Sequence, residues 1–291
     1  MRRLRLLAPL LLLAAAPAAP PQAHPALWKL ADADTTIWLF GSIHILPAGT
    51  RWMDPAIAHA VESSQSLTIE TVLDQDNGKV AELLMGMGRS AGLPPLAQRV
   101  PPGKRAQLAA LSKASGFPPA MFDGMKSWAA AIMLTGAALQ QIGVDTAQSP
   151  GVEPQLTALF RAANKPVDGL ETPEQQLGFF DRLPESAQRA FLLATLDNPA
   201  KARADFTKMI FAWSRGDPAA IEKSFAEDPE FTPALRDLLI RQRDRNWANA
   251  LARRLAQPGT VFVAVGAGHL VGPDSVQKML AARGLKVVRV Q

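Results

Sequence analysis

Two stretches at opposite ends of the chain share one pattern, an apolar run that leads directly into Gly-x-x-His. Residues 36–47 read TIWLFGSIHILP and contain His44, whereas residues 261–272 read VFVAVGAGHLVG and contain His269. Apolar runs rich in β-branched and aromatic residues predict buried strands, and a glycine at a strand end lets the backbone turn sharply. The chain has only four histidines. The pattern therefore predicts that these two imidazoles lie at the mouth of a site.

The distribution of strands predicts an α/β fold. The predicted strands are residues 26–30, 36–40, 66–72, 165–171, 260–265 and 285–290. Strands from both termini and from the middle of the chain would form one central mixed β-sheet that helices cover. In open α/β sheets, functional groups gather where the carboxyl ends of the strands meet the following loops. We therefore expect His44, His269, Glu70 and Glu171 to lie at one edge of the sheet.

Helical sequences account for most of the remaining chain. Residues 54–63 predict a helix with Asp54 as its N-cap. Ala, Leu, Met and Lys at helical spacing, interrupted by proline-containing turns, predict a large inserted helical layer over about residues 78–164 and 172–258. A chain of 291 residues is long enough to bury a substantial core, and we expect a single domain over residues 24–291.

The N-terminus has the composition of a secretory signal peptide. MRRLR is a basic segment, LLAPLLLLAAAPAA is an apolar segment too short to span a bilayer comfortably, and small residues follow up to Ala23. We expect residues 1–23 to be removed on export, which would leave a periplasmic or secreted protein without a membrane span. The alternative is an N-terminal membrane anchor, because the sequence alone does not define the cleavage site.

Composition narrows the function further. The chain has no cysteine, which excludes disulfides, zinc–thiolate sites and cysteine nucleophiles. Residues 1–23 carry three arginines and no acid, so the formal charge falls from +5 to +2, with 28 basic against 26 acidic residues. This balance gives no support for nucleic-acid binding. Residues 266–272 resemble a dinucleotide-binding fingerprint, but the third glycine is one residue late and the ribose-binding acid about 20 residues further on is missing.

His44, His269 and Glu70 form the predicted centre of the site. Imidazole suits a divalent metal and also acts as an acid or base near neutral pH. Glu70 ends the apolar strand SLTIE, where a carboxylate is costly unless it is paired, metal-bound or solvated. It would complete a His/His/Glu metal set or serve as a general base. The alternatives are two unrelated buried histidines and a strand-end acid that faces solvent.

Glu171, Arg241 and Arg245 are the remaining candidates for catalytic roles. Glu171 closes a predicted strand just before a helix, so it would either complement the helix N-terminus or act in the site. Glu153, in SPGVEPQL, has a similar profile with weaker support. Arg241 and Arg245 are four residues apart and share a helix face. They are predicted to reach into the site and hold a carboxylate or an oxyanion, the alternative being surface salt bridges.

Five blocks of the sequence, taken in order, resemble the bacterial TraB/GumN family. These blocks are PALWKL…TIWLFGSIHILP, LTIE, KPVDGLETPEQQL, LLIRQRDRNWA and VFVAVGAGHLVGPDSV, and the resemblance extends from about residue 25 to the C-terminus. The family is similar in its two GxxH motifs to the Tiki proteases, which are described as dependent on Mn²⁺ or Co²⁺. It is more distantly similar to the erythromycin-esterase and ChaN groups, which share an α/β core.

The resemblance also implies roles for individual residues. Ser42 stands where the family often has threonine. The residues at the family's characteristic positions are the paired motif histidines His44 and His269, the acid Glu70 of the second core strand, and the further polar residues Glu171, Arg241, Arg245 and Asn246.

Together, these features predict a divalent-metal-dependent hydrolase, peptidase-like, with Mn²⁺ or Co²⁺ as the cofactor. His44, His269 and Glu70 would hold the metal. Glu70 or Glu171 would take a proton from water, and Arg241 or Arg245 would stabilise the developing oxyanion. The alternative is a non-catalytic periplasmic ligand-binding or envelope-assembly accessory protein that uses the same cleft. The substrate, a peptide or a small molecule, and the oligomeric state are not specified by the sequence.

Overall fold

A computed structural model of the chain describes residues 22–72, 77–145, 150–229 and 231–291. Residues 1–21, which make up most of the predicted signal peptide, lie outside this described part. The strands are β1 (Leu27–Ala31), β2 (Thr35–Ser42), β3 (Ser66–Thr71), β4 (Val167–Glu171), β5 (Gly259–Gly266) and β6 (Val287–Arg289). All six strands predicted from the sequence are present, each within two residues of its predicted bounds.

The strands form one mixed sheet in the order β4-β3-β5-β2-β1-β6. The four strands from β4 to β2 are parallel, whereas β1 runs antiparallel to both β2 and β6. The register of β2 and β5 pairs Ser42 with Gly266. The two Gly-x-x-His segments therefore leave the sheet side by side. This topology confirms the predicted α/β fold with a central mixed sheet.

Helices fill most of the rest of the described chain. They are α1 (Pro55–Ser63), α2 (Asn77–Gly88), α3 (Arg105–Ala114), α4 (Pro119–Asp123), α5 (Ser127–Gln141), α6 (Val152–Ala162), α7 (Pro173–Asp181), α8 (Glu185–Thr195), α9 (Pro199–Ser214), α10 (Pro218–Glu227), α11 (Pro233–Arg236), α12 (Gln242–Leu255) and α13 (Val276–Ala281). Asp54 caps α1 as predicted, since its Oδ1 accepts a hydrogen bond of 3.0 Å from the backbone N–H of Ile57. No helix within the described ranges is long and apolar enough to cross a membrane.

Helices cover both faces of the sheet. On one face, Phe40 and Phe262 pack against α1, α6 and the adjoining parts of α9 and α10. On the other face, Val263 of β5 packs against Trp247 and Leu251 of α12 and against α13. The central strand β5 is therefore buried on both sides, which explains its continuous apolar sequence.

The inserted helices form a core of their own. Trp128 and Leu134 of α5 are fully buried against α3, α4 and α8, in a cluster separate from the two faces of the sheet. In contrast, α6 and α12 lie within the predicted helical insertion but pack directly on the sheet. This placement matters for function because α6 and α12 carry polar residues to the carboxyl ends of the strands.

Candidate functional site

The carboxyl ends of four parallel strands bring together the predicted histidines and glutamates. Glu70 belongs to β3, and the pairing of Thr71 with Glu171 places the end of β4 beside it. A Cβ atom built on Gly266 would lie 3.1 Å from Glu70 Oε1, 3.6 Å from His269 Cδ2 and 3.7 Å from His44 Nε2. Both histidines and Glu70 therefore surround the position that a Cβ atom of residue 266 would occupy. Only glycine leaves this space open.

The guanidinium of Arg243 lies among these groups. Its Nη2 donates to Glu70 Oε2 at 2.7 Å, and its Nε donates to Glu171 Oε1 and Oε2 at 3.0 and 3.1 Å. Its Nη1 lies 3.2 Å from His269 Nε2. Since arginine is only a donor, the Nε2 of His269 must accept this bond with its lone pair. Arg243 is 8% exposed, so it is a buried cation that joins two glutamates and one histidine.

Asp244 orients the ring of His269. His269 Nδ1 lies 2.5 Å from Asp244 Oδ1, and the ring centroid lies 4.3 Å from that of Trp247. Asp244 is 0% exposed. Burial raises the pKa of Asp244 to about 6, although His269 and Arg243 oppose this rise. The contact of Nδ1 with Asp244 leaves Nε2 as the ring nitrogen that faces Arg243 and the centre of the site.

His44 is held in a corresponding way by Glu153. His44 Nδ1 lies 2.8 Å from Glu153 Oε1, which also accepts a hydrogen bond of 2.6 Å from Ser42 Oγ. The bond to Glu153 and the negative charges of Glu153 and Glu70 raise the pKa of His44 to about 9. The side chain is 67% exposed. His44 is therefore the solvent-facing histidine of the pair and carries a proton at neutral pH.

Gly151 permits the contact between His44 and Glu153. A Cβ atom on Gly151 would lie 2.1 Å from the carbonyl oxygen of His44, and Val152 N donates to Ile43 O at 3.0 Å. The start of α6 therefore lies directly on the backbone of the first Gly-x-x-His segment. Glu153 had only weak support from the sequence, because its partner lies more than 100 residues away.

Glu70 is ionised and fully engaged. Burial alone would raise its pKa, but His269, Arg243 and His44, together with the N–H of Gly266, lower it to about 2. Gly266 N donates to Glu70 Oε1 at 2.8 Å. A carboxylate with so low a pKa is a weak base, so its chemistry here is that of an anionic ligand rather than a proton acceptor.

Glu171 acts as a partner of α12 rather than as a helix cap. Thr172 caps α7, with its Oγ1 accepting from Gln175 N and the Gln175 side chain accepting from Thr172 N. Glu171 instead binds Arg243 and accepts a hydrogen bond of 3.0 Å from Trp247 Nε1. Of the two roles that the sequence left open for Glu171, the structure therefore favours the role in the site.

Arg241 and Arg245 lie outside the cluster, in contrast to the prediction. Arg241 forms an ion pair with Asp237, and both arginines are exposed. The side chains that enter the site are Arg243 and Asp244, which the sequence analysis missed. The signal was helical periodicity: positions 243 and 244 lie four and three residues before the buried Trp247, on the same face. Asn246 is likewise exposed.

The donor set includes atoms that suit a divalent metal, but Arg243 competes for them. Two imidazole Nε2 atoms and the Glu70 carboxylate are ligands of the kind found at Mn²⁺, Co²⁺ and Zn²⁺ sites. Within the described ranges, however, no three His, Asp or Glu side chains are grouped closely enough to form a metal site. A metal would therefore require Arg243 to give up its contact with His269.

Comparison with known proteins gives a consistent match over the length of the chain. The sequence model of the TraB/PrgY/gumN family matches residues 26–289. A protein of Escherichia coli (strain K12), named Uncharacterized protein YbaP, is 25% identical over 245 residues, which cover 83% of this chain and 86% of that protein. A Shigella flexneri protein of the same name matches to the same extent. No solved structure matches the chain.

Proposed function

This chain belongs to the TraB/PrgY/gumN family, and we propose that it is an exported, peptidase-like hydrolase whose reaction centre is formed by His44, His269 and Glu70. One observation carries the proposal. Each imidazole has its Nδ1 bound to a carboxylate, Glu153 or Asp244. His269 Nε2 lies 3.6 Å from Glu70 Oε1, and His44 Nε2 lies 3.7 Å from the position of a Cβ atom on Gly266 that is itself 3.1 Å from Glu70 Oε1.

The first form of the proposal includes one divalent metal held by His44, His269 and Glu70. Histidines that bind metals almost always donate their second ring N–H to a carboxylate or carbonyl, which is the arrangement of both imidazoles here. When bound, a Mn²⁺-like ion would polarise a substrate carbonyl and lower the pKa of water. The low pKa of Glu70, about 2, supports its role as an anionic ligand at any physiological pH.

Arg243 has a defined role in this proposal. Its Nε is bound to Glu171 and its Nη2 to Glu70, which fixes the planar guanidinium. A metal held by His269 Nε2 would leave free the Nη1–H that now points at this nitrogen. A fixed donor of this kind, in a site from which water is largely excluded, stabilises negative charge that develops on a substrate oxygen. Arg243 therefore takes the oxyanion role that the sequence suggested for Arg241 and Arg245.

The alternative form of the proposal is hydrolysis by acid–base chemistry without a metal, in which Arg243 supplies the positive charge of the centre. In this form too, Nη1 of Arg243 must release the Nε2 lone pair of His269. A cation already lies between Glu70 and His269. In this form, the lone pair of His269 takes a proton from water while Asp244 holds the ring, as in a catalytic His–Asp pair. The protonated His44 would then donate a proton to the leaving group.

A cavity beside the site supports a peptide substrate. It has a volume of about 720 Å³ and is lined by Val72, Val80, Leu83, Met87 and Pro173, with charged residues at its rim. Two residues of its lining lie close in sequence to the glutamates of the site: Val72 follows Glu70 by two residues, and Pro173 follows Glu171 by two. An apolar cleft at this position would receive the side chain next to the scissile bond.

The test is a hydrolysis assay of the mature protein with peptide and ester libraries, before and after treatment with a chelator. If chelation abolishes turnover and Mn²⁺ restores it, the metal form is supported. Turnover that is unchanged by chelation supports the acid–base form. Glu70→Gln should remove turnover, with Arg241→Gln as a matched control. A protein that binds library members but never turns them over would instead be the ligand-binding protein considered from the sequence.

A further inference from the structure

A second cavity lies on the outer side of Glu171, between β4, α7 and α12. Its volume is about 720 Å³, and the cavity differs from the apolar cleft because its lining is mainly polar. The residues relevant to its chemistry are Glu171, Gln175, Arg182, Asn246, Asn249 and Arg253. Glu171 forms a wall shared with the reaction centre, since the same carboxylate binds Arg243.

The cavity has an unbalanced positive charge. In the described part of the chain, neither Arg182 nor Arg253 forms an ion pair with a carboxylate. Arg182 is nevertheless held in place, because its guanidinium carbon lies 4.6 Å from the centroid of the Phe179 ring. The one carboxylate of the lining, Glu171, is bound to Arg243, which it shares with Glu70, so the lining has two arginines against one carboxylate. Two arginines are therefore available for an anion.

The amide side chains of the lining add N–H donors, and part of the acceptor capacity of their oxygens is already used. The Gln175 oxygen already accepts from Thr172 N at 2.9 Å, and the Asn249 oxygen accepts from Arg283 Nη2 at 2.7 Å. The NH₂ groups of Gln175 and Asn249 can therefore donate hydrogen bonds to a ligand. Guanidinium and amide N–H donors around one space favour a planar acceptor group such as a carboxylate.

We propose that this cavity is a subsite for a carboxylate of a peptide, either an acidic side chain or the C-terminus. The proposal deepens the hydrolase proposal and rests on it for the assignment of the ligand as substrate. β4 is an edge strand of the sheet, so an extended peptide that pairs with its free edge would reach the cavity at the strand's carboxyl end. A carboxylate bound there would fix the peptide relative to Glu171 and hence to Arg243.

Binding of a simple probe tests the subsite independently of catalysis. The probe is N-acetyl-Ala-Glu, titrated by calorimetry into the Glu70→Gln protein so that turnover cannot interfere. N-acetyl-Ala-glutaminamide is the uncharged counterpart. Arg182→Gln and Arg253→Gln should each weaken the binding of the acidic probe roughly tenfold, as for loss of a charge-assisted hydrogen bond. Arg161→Gln, which removes an exposed arginine of α6, is the matched control and should leave affinity unchanged.

Three results would overturn the subsite: equal affinity of the two probes, equal loss of affinity in Arg161→Gln, or tighter binding of inorganic phosphate than of the acidic probe. The two proposals can also fail separately. Arginine-dependent binding of the acidic probe to a protein that hydrolyses no library member would refute the hydrolase but keep the carboxylate site. Turnover that is unchanged in Arg182→Gln and Arg253→Gln would support the hydrolase proposal and refute the subsite.

Discussion

Arg243 is the residue on which the site depends most. It is a buried cation that binds Glu70 and Glu171 and lies against His269. Transfer of isolated charges from water into a protein interior is costly, so each glutamate tolerates burial because of this guanidinium.

We expect Arg243→Gln to destabilise the protein by about 3–5 kcal/mol, the range seen when one partner of a buried ion pair is removed. The measurement is the free energy of unfolding in urea at neutral pH. Arg241→Gln is the matched control, since its exposed ion pair with Asp237 contributes about 0–1 kcal/mol. Similar losses in the two variants would contradict the central position of Arg243.

His44 is expected to titrate far above the usual range in the metal-free protein. Its bond to Glu153 raises the pKa from 6.5 to about 9, so Glu153→Gln should return the pKa toward 6.5. The raised pKa means that the pair stabilises the fold fully below about pH 6.5 and loses this contribution as the pH rises through about 9. The contribution is small because the ring is exposed.

NMR titration of the imidazole Cε1–H signal measures this pKa directly. The signal of His59, an exposed histidine of α1, is the internal reference for both proteins. An unchanged His44 titration in Glu153→Gln would show that Glu153 does not set its protonation.

At the scale of residues, local sequence patterns predicted the histidines and glutamates at the strand ends. The residues that orient the histidines depend on long-range contacts. His44, His269, Glu70 and Glu171 were predicted because a strand that ends on glycine or an acid marks its own carboxyl end. Glu153 and Asp244 orient the two histidines, but each is brought to its partner by the packing of a helix on the sheet. Spacing in the sequence places Asp244 on the buried face of α12 but does not show which strand end that face meets.

The ends of β2 and β5 are the elements that shape the centre of the site. A Cβ atom on Gly41 would lie 3.2 Å from the Cα of Ala267, so the two Gly-x-x-His backbones pack closely. The π-helical turn Asp237–Arg241 precedes α12, and its Leu239 oxygen accepts from Arg243 Nη1 at 3.2 Å. Such turns are frequent at functional sites, and this one supplies an acceptor for the buried arginine.

Gly266→Ala tests the close packing at the end of β5. The added methyl would lie 3.1 Å from Glu70 Oε1, which is tight enough to displace this carboxylate but not to disrupt the strand. We expect loss of most hydrolytic activity with a change in unfolding free energy of less than about 2 kcal/mol. Gly136→Ala, in α5 with no atom within 4 Å of the added methyl, is the control. Full activity in Gly266→Ala would place the reaction elsewhere.

At the scale of elements, the strands followed from the sequence but their order did not. Strand-like runs predicted six strands. The buried central strands β2 and β5 are apolar, whereas β4 (VDGLE) is partly exposed and ends on an acid. That β5 lies between β3 and β2 is a property of the parallel crossovers. The phase of α12 could have been predicted: Trp247, Leu251 and Leu255 define its buried face, and Arg243 and Asp244 continue that face toward its N-terminus.

At the scale of the whole molecule, the described fold begins two residues before the predicted processing point. Ala23 is 3% exposed, and its N–H donates to Arg51 O at 2.8 Å. The Gln22 side chain donates to the same oxygen at 2.8 Å. Both residues belong to the folded unit.

A chain that begins at residue 24 should therefore be less stable than one that begins at residue 20, by about 1–2 kcal/mol for two hydrogen bonds and a buried methyl group. Thermal unfolding of the two purified chains measures the difference. If the chain is exported as proposed, the intact mass of the processed protein should give an N-terminus upstream of Gln22. Equal stability of the two chains would contradict the structural role of Gln22 and Ala23.

The central proposal is that His44, His269 and Glu70 form one reaction centre, which in the first form of the proposal binds a divalent ion. Calorimetric titration of Mn²⁺ into the chelator-stripped mature protein tests it most directly, with His269→Ala alongside and circular dichroism to check folding. We predict one ion per chain in the wild type, proton release from His44 on binding, and no binding to the folded variant. Absence of binding to the wild type, or equal binding to both proteins, would contradict the metal centre.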